Sequence, residues 1–147
     1  MKILSGPKIE KVLLSGNETN IPLKTYQEWV LQINVTNGGT AQNLTIEDVI
    51  PGEFDVDLNR TSTSKGTYNF TRHGKSDHLE WNVELGPGEN AHMNITISTR
   101  WVETGKDGKW EFTSCGNYSL NKGAEIVGYG IVSNSLTVEA NIGCEDE

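Results

Sequence analysis

Apolar and polar residues alternate one for one along much of this chain. Trp29, Leu31, Ile33 and Val35 interleave with Val30, Gln32, Asn34 and Thr36, and the run stops at Asn37-Gly38-Gly39. Leu44 and Ile46 interleave with Asn43 and Thr45 and end at Pro51-Gly52. Leu79, Trp81, Val83 and Leu85 alternate with Glu80, Asn82 and Glu84 before Gly86-Pro87-Gly88, and Met93, Ile95 and Ile97 alternate with His92, Asn94, Thr96 and Ser98. A period of two is the signature of a strand with one dry face and one wet face. Gly, Pro and Asn between such runs mark turns. The pattern predicts a core of Trp29, Leu31, Ile33, Val35, Leu44, Ile46, Trp81, Val83, Ile95 and Ile97.

Shorter segments fill in the rest. Ile9 to Leu14 reads as the first strand, and Tyr68 and Phe70 flank Asn69 in another. The segments "RWVET" and "KWEFT" flank Gly105-Lys106-Asp107-Gly108 as a hairpin. Tyr118 to Leu120, Ala124 to Tyr129 and Leu136 to Ala140 read as closing strands. No amphipathic helix stands out. Strands at this spacing, with turns between them, predict an all-β, immunoglobulin-like antiparallel sandwich of about seven to nine strands. The 147 residues suit one module, 1–147, rather than two domains.

Composition narrows the function classes. A net charge of −8 repels phosphate backbones, so nucleic acid is not an expected partner. No apolar run is long enough to cross a membrane. Met1-Lys2-Ile3-Leu4 opens like a signal peptide, but Ser5-Gly6-Pro7-Lys8 ends it. The expectation is that a leader was removed or that the segment comes from a longer protein.

Seven N-x-S/T acceptor sequons occur, at Asn17, Asn34, Asn43, Asn59, Asn69, Asn94 and Asn117. Chance pairing of the Asn, Ser and Thr present predicts about two. The five strand sequons, Asn34, Asn43, Asn69, Asn94 and Asn117, all fall opposite the apolar parity, on the face where a bulky glycan fits. Number and parity together point to a glycosylated protein at the cell surface or outside the cell.

The two cysteines, Cys115 and Cys144, have no metal-ligand spacing, and His73, His78 and His92 are scattered. Cys115 precedes one late strand and Cys144 follows the last, so a disulfide can form if those strands are antiparallel neighbours. The Asp55-Val56-Asp57-Leu58-Asn59 stretch resembles the opening of a calcium loop, but Arg60 stands where such a loop needs Gly. An acidic turn is the better reading, and no metal or other cofactor is expected. Asp48 shares parity with Leu44 and Ile46 and so points inward. A buried carboxylate must be hydrogen-bonded, paired or protonated. Two readings stay open for it. One is a cap on the turn that follows. The other is the buried acid of a Lys–Asn isopeptide cross-link, with Lys8 or Lys11 on the first strand and Asn134 near the last as partners.

The stretches "LQINVTNGGTAQNLTIEDVIPGEF", "SKGTYNF", "LEWNVELGPGENAHMNITIST" and "GAEIVGYGIVSNSLTVEA" together resemble the conserved repeat domain of prokaryotic cell-surface proteins known as domain of unknown function eleven. The resemblance runs from about Lys8 to Ala140. It implies an immunoglobulin-like sandwich in envelope or surface-layer proteins, often in tandem, and no reaction. The sequon-rich, cysteine-poor composition resembles that of archaeal surface proteins. The Trp101–Trp110 hairpin is longer than the family pattern.

Two functional readings follow. The first is a non-catalytic structural or assembly module of an extracellular or cell-surface protein, whose partners are other copies or neighbouring modules. The second is an adhesion module that binds glycans or proteins by stacking them on exposed Trp101, Trp110 or Tyr129. No nucleophile motif or phosphate loop points to an enzyme.

Overall fold

A computed structural model describes residues 7–19, 21–22, 25–74, 76–99, 101–104, 107–110, 115–121, 123–134 and 136–142; for 22, 101–104, 107–110, 119, 121 and 140–142 the description is of the backbone. In chain order the strands are β1 (Lys8–Ser15), β2 (Ile21–Pro22), β3 (Glu28–Thr36), β4 (Gln42–Ile50), β5 (Phe54–Val56), β6 (Ser62–Thr63), β7 (Thr67–His73), β8 (Ser76–Leu85), β9 (Asn90–Thr99), β10 (Trp101–Thr104), β11 (Asp107–Trp110), β12 (Gly116–Asn121), β13 (Glu125–Ile126), β14 (Ile131–Val132) and β15 (Leu136–Ile142). Among the described residues the one helical piece is a 3-10 turn, Leu58–Arg60.

The chain is an all-β sandwich. One sheet runs β1-β3-β9-β5, with β6 also paired to β9; the other runs β14-β13-β4-β8-β7. A smaller sheet, β12-β15-β2, contributes Ile21, Leu120 and Val138 to the same core, and β10-β11 form a hairpin. Pairing is antiparallel apart from β15 with β2. Along β3, buried and half-buried residues alternate strictly; along β8, buried residues alternate with half-buried and then exposed ones. All ten residues expected in the core are buried, none more than 3% exposed. Alternation succeeds here because each long strand lies with one face against the opposite sheet, so one residue in two is removed from water.

Aromatic rings anchor the two halves. Trp29 meets Phe54 edge-on at a centroid distance of 5.4 Å, and its indole N–H donates to the Asn17 carbonyl at 2.7 Å. The Trp81 N–H donates to the Lys65 carbonyl at 2.9 Å. Both indoles thus bury their apolar surface while satisfying their one donor. Asn37, fully buried, ties two turns together: its side-chain amide donates to the carbonyls of Thr40, Leu85 and Gly86.

Several segments differ from the sequence reading. Ala124 to Tyr129 is not one strand: only Glu125–Ile126 is extended, a turn follows, and the chain returns as Ile131–Val132. Gly128 and Gly130, with φ of 88° and 68°, adopt a conformation that a strand does not contain. The short β2, β5 and β6 carry too few residues to show a period and were invisible for that reason. The expected Trp101–Trp110 hairpin is present, with Trp101 directly opposite Trp110 in the backbone register.

Two glycines give a controlled test of backbone strain. Gly66 (φ 80°) and Gly74 (φ 62°) both lie in the left-handed region, yet a Cβ on Gly66 would sit 2.2 Å from the Asn82 carbonyl oxygen, whereas one on Gly74 meets nothing within 4 Å. Gly74→Ala is expected to cost about 1 kcal/mol, the left-handed penalty alone. Gly66→Ala must also displace the β8 backbone and is expected to cost clearly more. Equilibrium denaturation of the two variants measures both; equal losses would show that the strand gives way freely.

Candidate functional site

The inward positions of β1 are Ile9, Lys11 and Leu13. Ile9 and Leu13 pack partly buried against the core, and Lys11 sits between them with its side chain fully enclosed. Opposite, on β4 in the other sheet, Asp48 continues the inward series of Leu44 and Ile46, and its side chain is also at 0% exposure. The Lys11 Nζ lies 2.9 Å from Asp48 Oδ2, an ion pair that joins the two sheets through the core. The other carboxylate oxygen, Oδ1, accepts the Val49 backbone N–H at 2.8 Å.

Burial governs the electrostatics of this pair. Loss of water pushes the Lys11 ammonium below its ordinary range, an effect the Asp48 charge partly reverses. The same loss of water raises Asp48 to about 6, against the pull of Lys11 and the Val49 N–H. Both shifts run toward the uncharged forms, because a dry interior penalises charge on either partner.

Asn134 completes the cluster from outside. Lys11 N–H donates to Asn134 Oδ1 at 3.0 Å, and Asn134 Nδ2 donates to the Lys11 carbonyl at 3.1 Å. The carboxamide therefore lies along the outer edge of β1, on the side away from β3, as a neighbouring strand would. Of the four residues considered for a cross-link, Lys11, Asp48 and Asn134 converge, while Lys8 is exposed. The geometry differs from the expected one in a specific way. The Lys11 amine meets Asp48, and Asn134, itself exposed, engages the Lys11 main chain instead. The sequence held a signal for this site: a lysine at the centre of an apolar period of two, matched by an inward aspartate.

The remaining candidates are distributed over the surface. Asn17, Asn43, Asn59, Asn69 and Asn117 are exposed, and Asn34 and Asn94 are half-buried. Those two lie on one outer sheet face and share Gln32, which donates to Asn94 Oδ1 at 2.8 Å and accepts from Asn34 Nδ2 at 2.9 Å. Strands β12 and β15 are antiparallel neighbours with Gly116 opposite Ala140. Cys115, which precedes β12, is not a free thiol; Cys144 lies outside the described residues, as do residues 1–6. The side chains of Trp101 and Trp110 also lie outside the description. Tyr129 is 45% exposed at the β13–β14 turn, where its hydroxyl donates to Gln42 Oε1.

The acidic stretch after β5 is a capped turn. Asp57 accepts the Asn59 N–H at 3.1 Å, and Arg60 reaches both Asp57 (2.7 Å) and Glu28 (2.7 and 2.5 Å). Arg60 occupies these carboxylates, which holds Glu28 and Asp57 below their ordinary range. Among the described residues, no three His, Cys, Asp or Glu side chains are grouped to hold a metal ion. No described helix is long and apolar enough to cross a membrane.

Comparison with known proteins gives one sequence relative. An uncharacterized protein of Archaeoglobus fulgidus is 41% identical over an alignment of 139 positions, and the match covers 90% of this chain and 47% of that protein. The chain thus spans about half the length of the curated relative it matches. No family model matches the chain. Among solved structures, a non-cellulosomal cohesin of Archaeoglobus fulgidus overlaps 93% of this chain and 92% of its own, at 10% identity and a TM-score of 0.44. An exo-β-N-acetylglucosaminidase of Vibrio harveyi overlaps 94% of this chain and 18% of its own, at 15% identity and a TM-score of 0.42. Likenesses this low bear on neither activity nor partner.

The two halves of the cluster make different contributions. Lys11→Met removes the cation beside the buried Asp48 carboxyl and is expected to cost about 3–5 kcal/mol. Asn134→Ala removes two hydrogen bonds at a partly wet edge and is expected to cost about 1–2 kcal/mol. Urea titration of both variants checks the order; a larger loss for Asn134→Ala would show that the edge, not the buried pair, holds β1 in place.

Proposed function

We propose that this chain is a non-catalytic structural or assembly module of a secreted or cell-surface protein of the envelope or surface-layer type. The observation that carries the reading is the placement of the seven sequons. Every one of the seven asparagines stands on an exposed or half-buried position, and none is in the core. Sequon enrichment alone could reflect Thr-rich strands. Enrichment confined to positions that can accept a glycan is what an exterior protein requires. The resemblance to the surface-protein repeat domain supports the same reading, and the archaeal sequence relative is compatible with it.

On this reading, the partners are other copies or neighbouring modules of the parent protein. A Cys115–Cys144 disulfide fastens the end of the chain, an arrangement stable in an oxidising exterior. The antiparallel pairing of β12 and β15 sets Gly116 opposite Ala140, which supports this reading because Cys115 directly precedes β12 and Cys144 follows β15 in the sequence. Such a bridge would contribute about 3–4 kcal/mol by closing the intervening loop.

A second reading, adhesion to glycans or proteins, rests on the exposed Tyr129 and the Trp101–Trp110 register. Trp29 and Trp81 are buried, so any tryptophan fluorescence accessible to acrylamide must come from Trp101 or Trp110. Strong quenching that a glycan protects against would favour adhesion.

Material from the native source, analysed as intact protein and as non-reduced peptides, tests the exterior assignment. Glycan masses on several of the seven asparagines and a peptide pair joined through Cys115 and Cys144 are expected. An unglycosylated native protein with two alkylatable thiols would overturn it. If Asn34 and Asn94 both act as acceptors, their sharing of Gln32 on adjacent strands predicts that a single molecule rarely carries both glycans, visible as anticorrelated site occupancy.

A further inference from the structure

We propose that the Lys11 amine and the Asp48 carboxyl condense into an intramolecular amide that ties β1 covalently to β4, with Asp48 as the acyl partner rather than the bystander acid of a Lys–Asn link.

Geometry carries the inference. The Nζ is in contact with Oδ2 at 2.9 Å, so nucleophile and carboxyl are already held together by two rigid strands of opposite sheets. Contact of this kind removes the diffusional part of an intramolecular acyl transfer, and leaves the nitrogen only the short swing from Oδ2 to the face of Cγ. Asn134, by contrast, is exposed and holds its carboxamide against the Lys11 main chain, while the amine is enclosed. For Asn134 to be the acceptor, its carboxamide would have to leave both hydrogen bonds and enter the core.

Each oxygen of Asp48 has a separate part in the step. A proton passes from the Lys11 ammonium to Oδ2 along the existing contact, giving a neutral amine and a carboxylic acid. The pair's burial favours this neutral form, lowering Lys11 and raising Asp48. The Nζ lone pair then adds to Cγ. Negative charge develops on Oδ1, where the Val49 N–H already donates at 2.8 Å and stabilises it. A second proton moves from the nitrogen to Oδ2, the Cγ–Oδ2 bond breaks, and Oδ2 departs as water. The ammonium and carboxylate become one secondary amide and one water, with no oxidant, reductant or other reactant. Two charges vanish from a site that penalises both, and that relief favours the product.

The step depends only on the folded chain and not on where the parent protein resides. Protein expressed in a bacterial host is therefore a sufficient sample, and the result is independent of the glycan and disulfide measurements. The denatured intact mass is expected to fall short of the sequence mass by one water. Digestion should yield a branched peptide joining the Lys11 and Asp48 segments; this placement is needed because Asp107-Gly108 can also lose water as a succinimide. Lys11→Arg keeps the charge but cannot be acylated, and should show the full mass at that site. In wild type, the amide also removes the Asp48 titration. An intact ion pair would instead lose stability as pH rises from about 4 to 6, because folded Asp48 holds its proton up to about 6 and the unfolded chain releases it near 3.8. Full sequence mass in folded wild type, with that pH slope present, overturns the proposal and leaves an ion pair. A loss of ammonia with a branch to Asn134 overturns it in favour of the other acceptor.

Discussion

The pleat of a β-strand admits only two environments, and nearly everything in this protein follows from the requirement that one stay dry and the other wet. Ridges of Trp29, Leu31, Ile33 and Val35 on one sheet face Leu44, Ile46, Leu79, Trp81 and Val83 on the other. A shift of one residue in any of these strands would exchange the whole set, so the register is strongly specified. The same parity places Asn34, Asn43, Asn69, Asn94 and Asn117 where solvent reaches them. Core and candidate glycan sites are thus two outcomes of a single constraint.

Against that background, Lys11 and Asp48 break the rule on both sheets at once, and they do so in contact. A dry ion pair rarely adds net stability over apolar residues of the same size. What it adds here is position. An ammonium in the centre of β1 has to find its carboxylate on β4, and a register slip of β1 would part the two charges inside the core. The pair therefore fixes how the first strand of the chain lies on the sandwich. The surface pairs, such as Arg60 with Glu28 and Asp57, sit in water and bring much less.

Long strands were legible in the sequence because each repeats its period several times; β3, β4, β8 and β9 fall where the alternation places them. The inward direction of Asp48 was legible by the same parity. Short pieces were not. Ile21–Pro22 pairs in parallel with β15, far along the chain, and two residues display no period. The break of the Ala124 to Tyr129 segment lay in two glycines whose left-handed backbone is a matter of conformation, not of hydropathy. The Lys11–Asp48 contact joins residues on different sheets, and no local pattern encodes which inward groups meet across a core. The role of Asn134 was hidden for a related reason: a carboxamide that pairs with main chain leaves no mark in the pattern of side chains.

That carboxamide has a consequence for how copies of the module could meet. Among the described residues, the outer edge of β1 is a row of main-chain donors and acceptors of the kind on which a second chain can extend a sheet. By satisfying both the N–H and the C=O of Lys11, Asn134 acts as a stopper set in the middle of that row. An approaching strand finds the sequence of bonding positions interrupted and can register on either side but not across. Addition of a second strand across this border is thereby discouraged.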